Sequence, residues 1–405
     1  MWLTKALALS LAIAMASAAA EERSAHVAVL ADGSLALGLK LYHAMAKDKG
    51  TGNILLSPVM LASSLGTVAL GAQGTTASEA KSLLGMGKVE EGEFHRSVSQ
   101  LLAGVGDPAA RNGTWKTGSH IYGPTSVKFT EDFVQQSKKH YGLQHSKINF
   151  RDKKGALKSI NEWASKTTES KLPEITKDLE KTDGTIIINA IYFKPHWNER
   201  FHHKMVDQRS FTITRSESIA INMMHRTGLY NFYKDETNQV YVVEMQLSRE
   251  LSSVIFIMPF QLQDLGKIEK VLNKEQIEAW VNKLQRRALA ISLPKGIFGV
   301  SHQLQKHLGG VGLSAAVDKS KADLSKISGK KDLYLASVIH GTALEWDTEG
   351  DPYDAFIYNR EELKDPEVFY VDHPFIFLVK DKKSGAVLFI GRLMRPDGRK
   401  MHDEL

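Results

Sequence analysis

The chain has 405 residues, of which 42% are hydrophobic and 24% are charged, and its formal net charge is +6. This is an ordinary globular composition, and the length allows either two domains or one large one. The sequence has no cysteine, which excludes a thiol–disulfide isomerase and a cysteine-ligated zinc site. Its basic stretches are short and lack interleaved aromatic residues, so we expect no nucleic-acid partner.

The N-terminus has the pattern of a cleaved signal peptide. Lys5 precedes an apolar run over residues 6–15, and the small residues Ala18 and Ala20 stand before charged Glu21. A positive start, a short apolar core and an Ala-x-Ala exit direct a chain into the secretory pathway. The run is shorter than the roughly 20 apolar residues that a membrane span requires. We therefore predict a signal peptide over residues 1–20 and no membrane span.

The following segments are predicted to be helical and the later ones to be strands. Apolar residues at helical spacing predict a helix over residues 27–47, and Pro58 in a first turn predicts the start of another. Runs rich in β-branched and aromatic residues predict strands at residues 185–193, 240–245, 253–259, 288–293 and 386–393. Helices early and strands late indicate an α+β fold.

The sequence carries no motif of an enzyme active site: neither a Gly-x-Ser-x-Gly elbow, nor a His-Glu-x-x-His pair, nor a phosphate-binding glycine loop. His202 and His203 are adjacent, and on a strand they would point to opposite faces, which makes a poor chelating pair. We therefore expect no catalysis, no cofactor and no metal. Asn112, in the triplet Asn-Gly-Thr, is a candidate glycosylation site.

The last four residues, His402, Asp403, Glu404 and Leu405, form an HDEL terminus. This is the address by which the retrieval-signal receptor returns proteins to the endoplasmic reticulum. A signal peptide and a retrieval signal in one chain predict a resident of the endoplasmic reticulum lumen.

Three segments, in order along the chain, resemble the serpin family. They are NILLSP at 53–58 continuing to LGAQGTT at 70–76, NAIYFKPHW at 189–197 and YVDHPFIFLV at 370–379. The resemblance implies a single serpin domain over residues 21–401, followed by the retrieval signal at 402–405. It also implies a helical cluster, three β-sheets and an exposed reactive-centre loop before the last segment.

The start of that loop departs from the pattern of inhibitory serpins. Inhibitors trap proteases by inserting the cleaved loop into the main sheet, which requires small uncharged residues at its hinge. Where inhibitors resemble Thr-Glu-Ala-Ala, this chain has Asp351, Pro352, Tyr353 and Asp354. Proline cannot donate a ladder hydrogen bond, and an inserted carboxylate would lose its hydration. We expect that the loop does not insert; the alternative is an inhibitor of a secretory-pathway serine protease.

Within the family, the chain resembles the collagen-binding members. The segments that carry this likeness are FHHKMVD at 201–207, HRTGLY at 225–230, GKKDLYLAS at 329–337 and GRL at 391–393. The resemblance implies a collagen-specific chaperone that binds the procollagen triple helix and releases it at lower pH. A general holdase for unfolded chains is a further alternative, which would require a large exposed apolar patch.

The resemblance assigns collagen binding to Asp372, Tyr370 and Val368, with Arg209 beside them. On a strand, Val368, Tyr370 and Asp372 share one face. A carboxylate pairs with the guanidinium of an arginine at an outer position of a Gly-X-Y triplet, and the other two pack on proline rings. Val368 stands where we expect leucine, so one methylene of apolar contact is missing.

Release at lower pH requires groups that titrate near neutrality, which favours histidine. The sequence has 15 histidines. His373 is the first candidate, since it follows Asp372 and faces inward; we expect that charging a buried neutral ring disturbs the binding strand. The other candidates near predicted sheet ends are His202, His203, His225, His340 and His196.

Overall fold

The computed structural model describes residues 25–48, 52–106, 113–179, 182–350 and 362–400. The predicted signal peptide, Asn112, the hinge residues 351–354 and the tail 402–405 lie outside the described residues. Those assignments stay predictions.

Helices dominate the first part of the described chain, as expected, but five short α-helices also lie among the later strands, over residues 265–328. The α-helices are α1 (25–46), α2 (Pro58–Gly71), α3 (Gly74–Leu83), α4 (Glu91–Gly106), α5 (Glu131–Tyr141), α6 (Lys153–Thr167), α7 (Leu265–Val271), α8 (Lys274–Val281), α9 (Gln305–Val311), α10 (Ser314–Val317) and α11 (Ser325–Ser328). The predicted first helix and the helix that begins at Pro58 are confirmed. Every residue of α2 is buried, so this helix is held by packing on all sides.

The strands are β1 (Ile54–Leu56), β2 (Gly113–Pro124), β3 (Gln144–Ile148), β4 (Thr185–Pro195), β5 (Val206–Thr214), β6 (Glu217–Asp235), β7 (Val240–Gln246), β8 (Ser252–Pro259), β9 (Gln285–Pro294), β10 (Gly296–Gln303), β11 (Leu335–Trp346), β12 (Glu367–Tyr370), β13 (Phe375–Asp381), β14 (Val387–Leu393) and β15 (Arg399–Lys400). All five strands predicted from the sequence are confirmed. The α+β class is confirmed with them.

The strands form two hydrogen-bonded networks. The larger has the order β1-β14-β13-β8-β7-β6-β9-β12, with β5 and β15 also on β6, and the smaller has the order β10-β11-β4-β2-β3. The three expected sheets appear as two networks because β6, with 19 residues, is shared. One end of β6 pairs with β5, the next part with β9, and the other end with β7.

The smaller sheet contains a parallel pair at its centre. β11 and β4 bond directly to each other, with a register that runs from Leu335 opposite Thr185 to Leu344 opposite Phe193. No strand therefore lies between them. β4 is buried along almost its whole length, which accounts for its unbroken apolar sequence.

The short strand β12 ends the larger sheet. It pairs in parallel with β9, and Val371 extends the ladder by donating its amide to the carbonyl of Ser292 at 3.0 Å. Among the described residues, no helix combines the length and apolarity needed to cross a bilayer.

Candidate functional site

The β12 segment alternates between the core and solvent as its sequence predicts. Val368 is 69% exposed, whereas Phe369 and Val371 are buried. Tyr370 is half-buried and lies on the same face as Val368. Anchored by its inward side chains, this strand presents the outward ones to solvent.

Asp372 follows directly and is held by its backbone. Its carbonyl accepts from the Thr212 amide of β5 at 2.7 Å, and its own amide donates to the Tyr370 carbonyl at 3.1 Å. The carboxylate is 43% exposed. Its Oδ1 lies 2.8 Å from Nδ1 of His373, and Oδ2 has no protein partner among the described residues. One carboxylate oxygen thus remains open to solvent.

Arg209 reaches the same surface from β5. Its Nε and Nη2 donate to the two oxygens of Asp207 at 2.9 and 2.7 Å, a bidentate pair. The guanidinium is about half-exposed and lies near Tyr370. Burial raises the pKa of the Tyr370 phenol, and the Arg209 charge offsets part of that rise. The structure therefore brings together all four residues assigned to collagen binding.

Two further side chains belong to this surface. His225 of β6 lies with Nε2 2.8 Å from Oδ1 of Asp207 and Nδ1 2.8 Å from the Ser292 hydroxyl. Hydrogen bonds from Arg209 and then His225 hold the pKa of Asp207 below its usual value. We call Val368, Tyr370, Asp372, Arg209, Asp207 and His225 the outer face. Sequence reasoning missed Asp207, although its spacing of two from Arg209 on a strand places both on one side.

His373 lies beneath Asp372, only 12% exposed. Its Nδ1 faces the Asp372 carboxylate at 2.8 Å, and its Nε2 faces the Pro259 carbonyl at 2.9 Å. A neutral imidazole has one N–H, whereas the charged ring has two. The charged ring therefore satisfies both acceptors. This corrects the expectation that charging His373 disturbs the strand.

Comparison with known proteins identifies the family to which this chain belongs. A family model described as serpin (serine protease inhibitor) matches residues 32–396. The chain belongs to the serpin family. It is similar to Serpin H1 of Gallus gallus, 61% identical over 93% of both chains, and to Serpin H1 of Mus musculus, 59% identical over 95% of this chain and 93% of the relative. The leukocyte elastase inhibitor of Equus caballus is 29% identical over 88% of this serpin and 96% of the relative.

The segment of this serpin that leads into the reactive-centre loop is fixed by charge. Glu345 contacts Lys171 at 2.8 Å, Asp347 contacts Lys295 at 2.7 Å, and Glu349 contacts Lys194 at 2.9 Å. Lys194 also lies 3.7 Å from Glu345 and 3.4 Å from Asp347. We call these six residues the hinge cluster.

Two carboxylates of the hinge cluster, Glu345 and Asp347, have a lowered pKa. Burial by itself raises the pKa of Asp347, but the hydrogen bonds from Lys295 and the Thr348 amide, with the Lys194 charge, outweigh it and set the pKa at about 2. Beyond Gly350 the loop lies outside the described residues.

The remaining candidate histidines lie elsewhere. His202 and His203 are in a turn, not on a strand as assumed, and their rings stack at a centroid distance of 4.5 Å. His196 lies 3.1 Å from Glu349, and all three line a groove beside the hinge cluster. The described residues contain no group of three or more acidic or histidine side chains placed to hold a metal ion.

His340 is unsuited to sensing mild acid. It is fully buried, and its Nε2 accepts from the Ser57 amide at 3.0 Å. Burial, together with the neighbouring His302, lowers the pKa of His340 to about 3. The ring is therefore neutral throughout the range in which collagen release was expected, which corrects its place among the switch candidates.

Proposed function

We propose that this serpin is a non-inhibitory, collagen-specific chaperone of the endoplasmic reticulum lumen. It binds triple-helical procollagen through the outer face and releases it as pH falls. The observation that carries the proposal is the half-exposed Asp372 carboxylate, with one open oxygen, in line with Tyr370 and the exposed Val368.

The chemistry of the outer face fits a collagen triple helix. A triple helix is a rigid rod of extended chains without deep pockets, and it offers proline rings and outer side chains. The open oxygen of Asp372 accepts from the guanidinium of an arginine at an outer Gly-X-Y position. Val368 and the ring of Tyr370 supply flat apolar contacts to pyrrolidine rings beside that arginine.

Arg209 has a supporting role in this proposal. Two of its five N–H groups donate hydrogen bonds to Asp207. The side chain is half-exposed, so its remaining donors are available to the backbone carbonyls of an extended chain. Asp207 fixes the guanidinium in place, so little side-chain entropy is lost on binding.

Release follows from the pair formed by Asp372 and His373. Mild acid is the range in which a histidine side chain can take up a proton, and a protonated ring at His373 would have two N–H groups. The charged ring then holds Asp372 in an internal ion pair and competes with the arginine of collagen. His225 lies against Asp207, and hydrogen bonds from Arg209 and His225 hold the pKa of Asp207 below its usual value.

Replacing His373 with glutamine tests this release mechanism. Glutamine can donate to Asp372 but cannot become charged, so the His373→Gln variant should retain collagen at a pH where the wild type releases it. The measurement is the pH midpoint of elution from a collagen column. His202→Gln, in the exposed turn, is the matched control and should elute as the wild type does. An unchanged midpoint in His373→Gln would remove His373 from the release mechanism.

We propose from the hinge residues that this serpin does not inhibit proteases. Asp351 and Pro352 are unsuited to a central strand, and the hinge cluster ties the residues before them to the body. The sequence likeness to a leukocyte elastase inhibitor supports the alternative, an inhibitor of a secretory-pathway protease. Incubation with serine proteases and denaturing electrophoresis separates the two: the proposal predicts cleavage without a covalent complex.

Residence in the endoplasmic reticulum is proposed from the two ends of the chain. The signal peptide over residues 1–20 provides entry, and the HDEL terminus provides retrieval by its receptor after collagen has been released. Deleting residues 402–405 should send the protein into the medium while leaving collagen binding intact. Glycosylation of Asn112 is part of the same proposal, since entry exposes the acceptor triplet to the glycosylation machinery.

The test of the function as a whole compares triple-helical with heat-denatured collagen at neutral pH. Because the outer face holds its contact residues in a fixed arrangement on paired strands, the proposal predicts binding to the rigid triple helix and little binding to the denatured chains. Equal binding to both would indicate a general holdase.

A further inference from the structure

The outer face has a second exposed apolar side chain at its far edge. Among the described residues the exposed large hydrophobics are Val29, Met205, Ile297 and Val368, and Met205 is 52% exposed. Met205 directly precedes β5. The His225 amide donates to its carbonyl at 2.8 Å, which continues the register of β5 with β6. Directly opposed residues share a face, so Met205 lies on the side of His225.

A continuous row crosses four strands from Met205 to Tyr370. His225 stands opposite Ser292, and Ser292 stands opposite Tyr370. Three strand spacings separate the two ends, or about 14 Å. The middle of the row is polar and both ends are apolar, since Val368 and Tyr370 lie at one end and Met205 at the other.

We propose that Met205 is a second apolar contact for the collagen triple helix and contributes to the choice of sequence. This inference rests on the proposed function. One Gly-X-Y triplet of extended chain spans about 9 Å, so a rod lying along the row places a residue one to two triplets from the bound arginine over Met205. A methionine side chain adapts to irregular apolar shapes, which suits a proline ring there.

The proposal gives the outer face two requirements. The arginine that pairs with Asp372 is the first, and an apolar residue at a fixed distance from it is the second. Segments that have the arginine but a polar residue at that distance bind more weakly. The loss is about 3- to 10-fold, as expected for a partly buried apolar contact.

Triple-helical peptides with one central arginine test the proposal. Proline is replaced by serine at successive outer positions up to two triplets on either side, with flanks long enough to keep every peptide triple-helical by circular dichroism. Affinities are measured for the wild type, Met205→Ser and Met205→Leu. Val29→Ser, which removes an exposed apolar side chain from α1, is the matched control.

At one position of the peptide, serine should weaken binding to the wild type and to Met205→Leu about 3- to 10-fold. The affinity of Met205→Ser should be unaffected by serine at that position. Val29→Ser should behave as the wild type does. If Met205→Ser binds every peptide as the wild type does, Met205 makes no contact and the inference is overturned. If the wild type does not distinguish the arginine peptide from one with glutamine in its place, the proposed function itself fails.

Discussion

The outer face and the hinge cluster use the same kinds of residue in opposite ways. Both place carboxylates on extended chain beside basic groups. In the hinge cluster each carboxylate has a lysine partner within 3 Å, and Lys194 lies close to all three. On the outer face Asp372 has only a histidine partner and keeps one oxygen open. The first arrangement pairs every carboxylate with a lysine of the same molecule, whereas the second leaves one oxygen of Asp372 for a ligand.

This difference separates stability from binding. Charges that are satisfied internally stabilise one conformation of the chain and have little left to offer a partner. A half-exposed carboxylate at the end of an edge strand contributes little to folding. It has a large effect on affinity when a ligand buries it. Substitutions in the two places should therefore be distinguishable by which property they change.

Lys194→Met gives the largest expected effect on stability. It leaves Glu345, Asp347 and Glu349 without their shared cation, in a partly buried setting, so the free energy of unfolding should fall by about 1–3 kcal/mol. Collagen affinity at neutral pH should not change. Urea unfolding and collagen binding, measured on the same preparation, check both statements. A loss of affinity without a loss of stability would show that the hinge cluster serves binding and not stability.

Buried histidines predict how stability depends on pH. His95, His120 and His302 have pKa values lowered to about 4 and His340 to about 3, mainly by burial. The unfolded chain takes up these protons near pH 6.5 and the folded chain does not, so stability is greatest above pH ~6.5 and falls as pH drops toward the folded values.

When the pH is lowered from 7.5 to 5.5, each such histidine should reduce the free energy of unfolding by about 1.4 kcal/mol. His340→Gln keeps an acceptor for the Ser57 amide but cannot take up a proton. The variant should therefore lose less stability than the wild type between the two pH values, as measured by denaturant unfolding. His302→Gln serves the same purpose if the first variant is too unstable. Asp347 does not contribute in this range because its pKa is about 2. A stability that does not change with pH would contradict this prediction.

Val368→Leu has the smallest expected effect and sharpens the role of the outer face. It adds one methylene to a side chain that is 69% exposed, so collagen affinity should rise by up to about 0.8 kcal/mol. Unfolding should be unaffected. Ile297→Leu, at an exposed position on β10, is the control that should leave affinity unchanged.

The sequence predicts much of the fold and part of the site. The unbroken apolar run of β4 and the alternation from Val368 to Val371 are local patterns, and each is confirmed. The strand itself ends at Tyr370 and does not continue to His373 as the pattern predicted. What the sequence could not supply is register between distant strands, which alone brings Arg209 and His225 to β12. The sequence also could not show the Pro259 carbonyl beside His373 or the Ser57 amide that donates to His340, because both come from segments remote in the chain.

The most direct test of the outer face is a double-mutant cycle between Asp372→Asn and a triple-helical peptide whose arginine is replaced by glutamine. We predict that either change alone weakens binding about 30-fold, roughly 2 kcal/mol for a desolvated ion pair, and that both together weaken it no further. Additive losses, or an Asp372→Asn variant that binds the arginine peptide as the wild type does, would show that Asp372 does not hold the arginine of collagen.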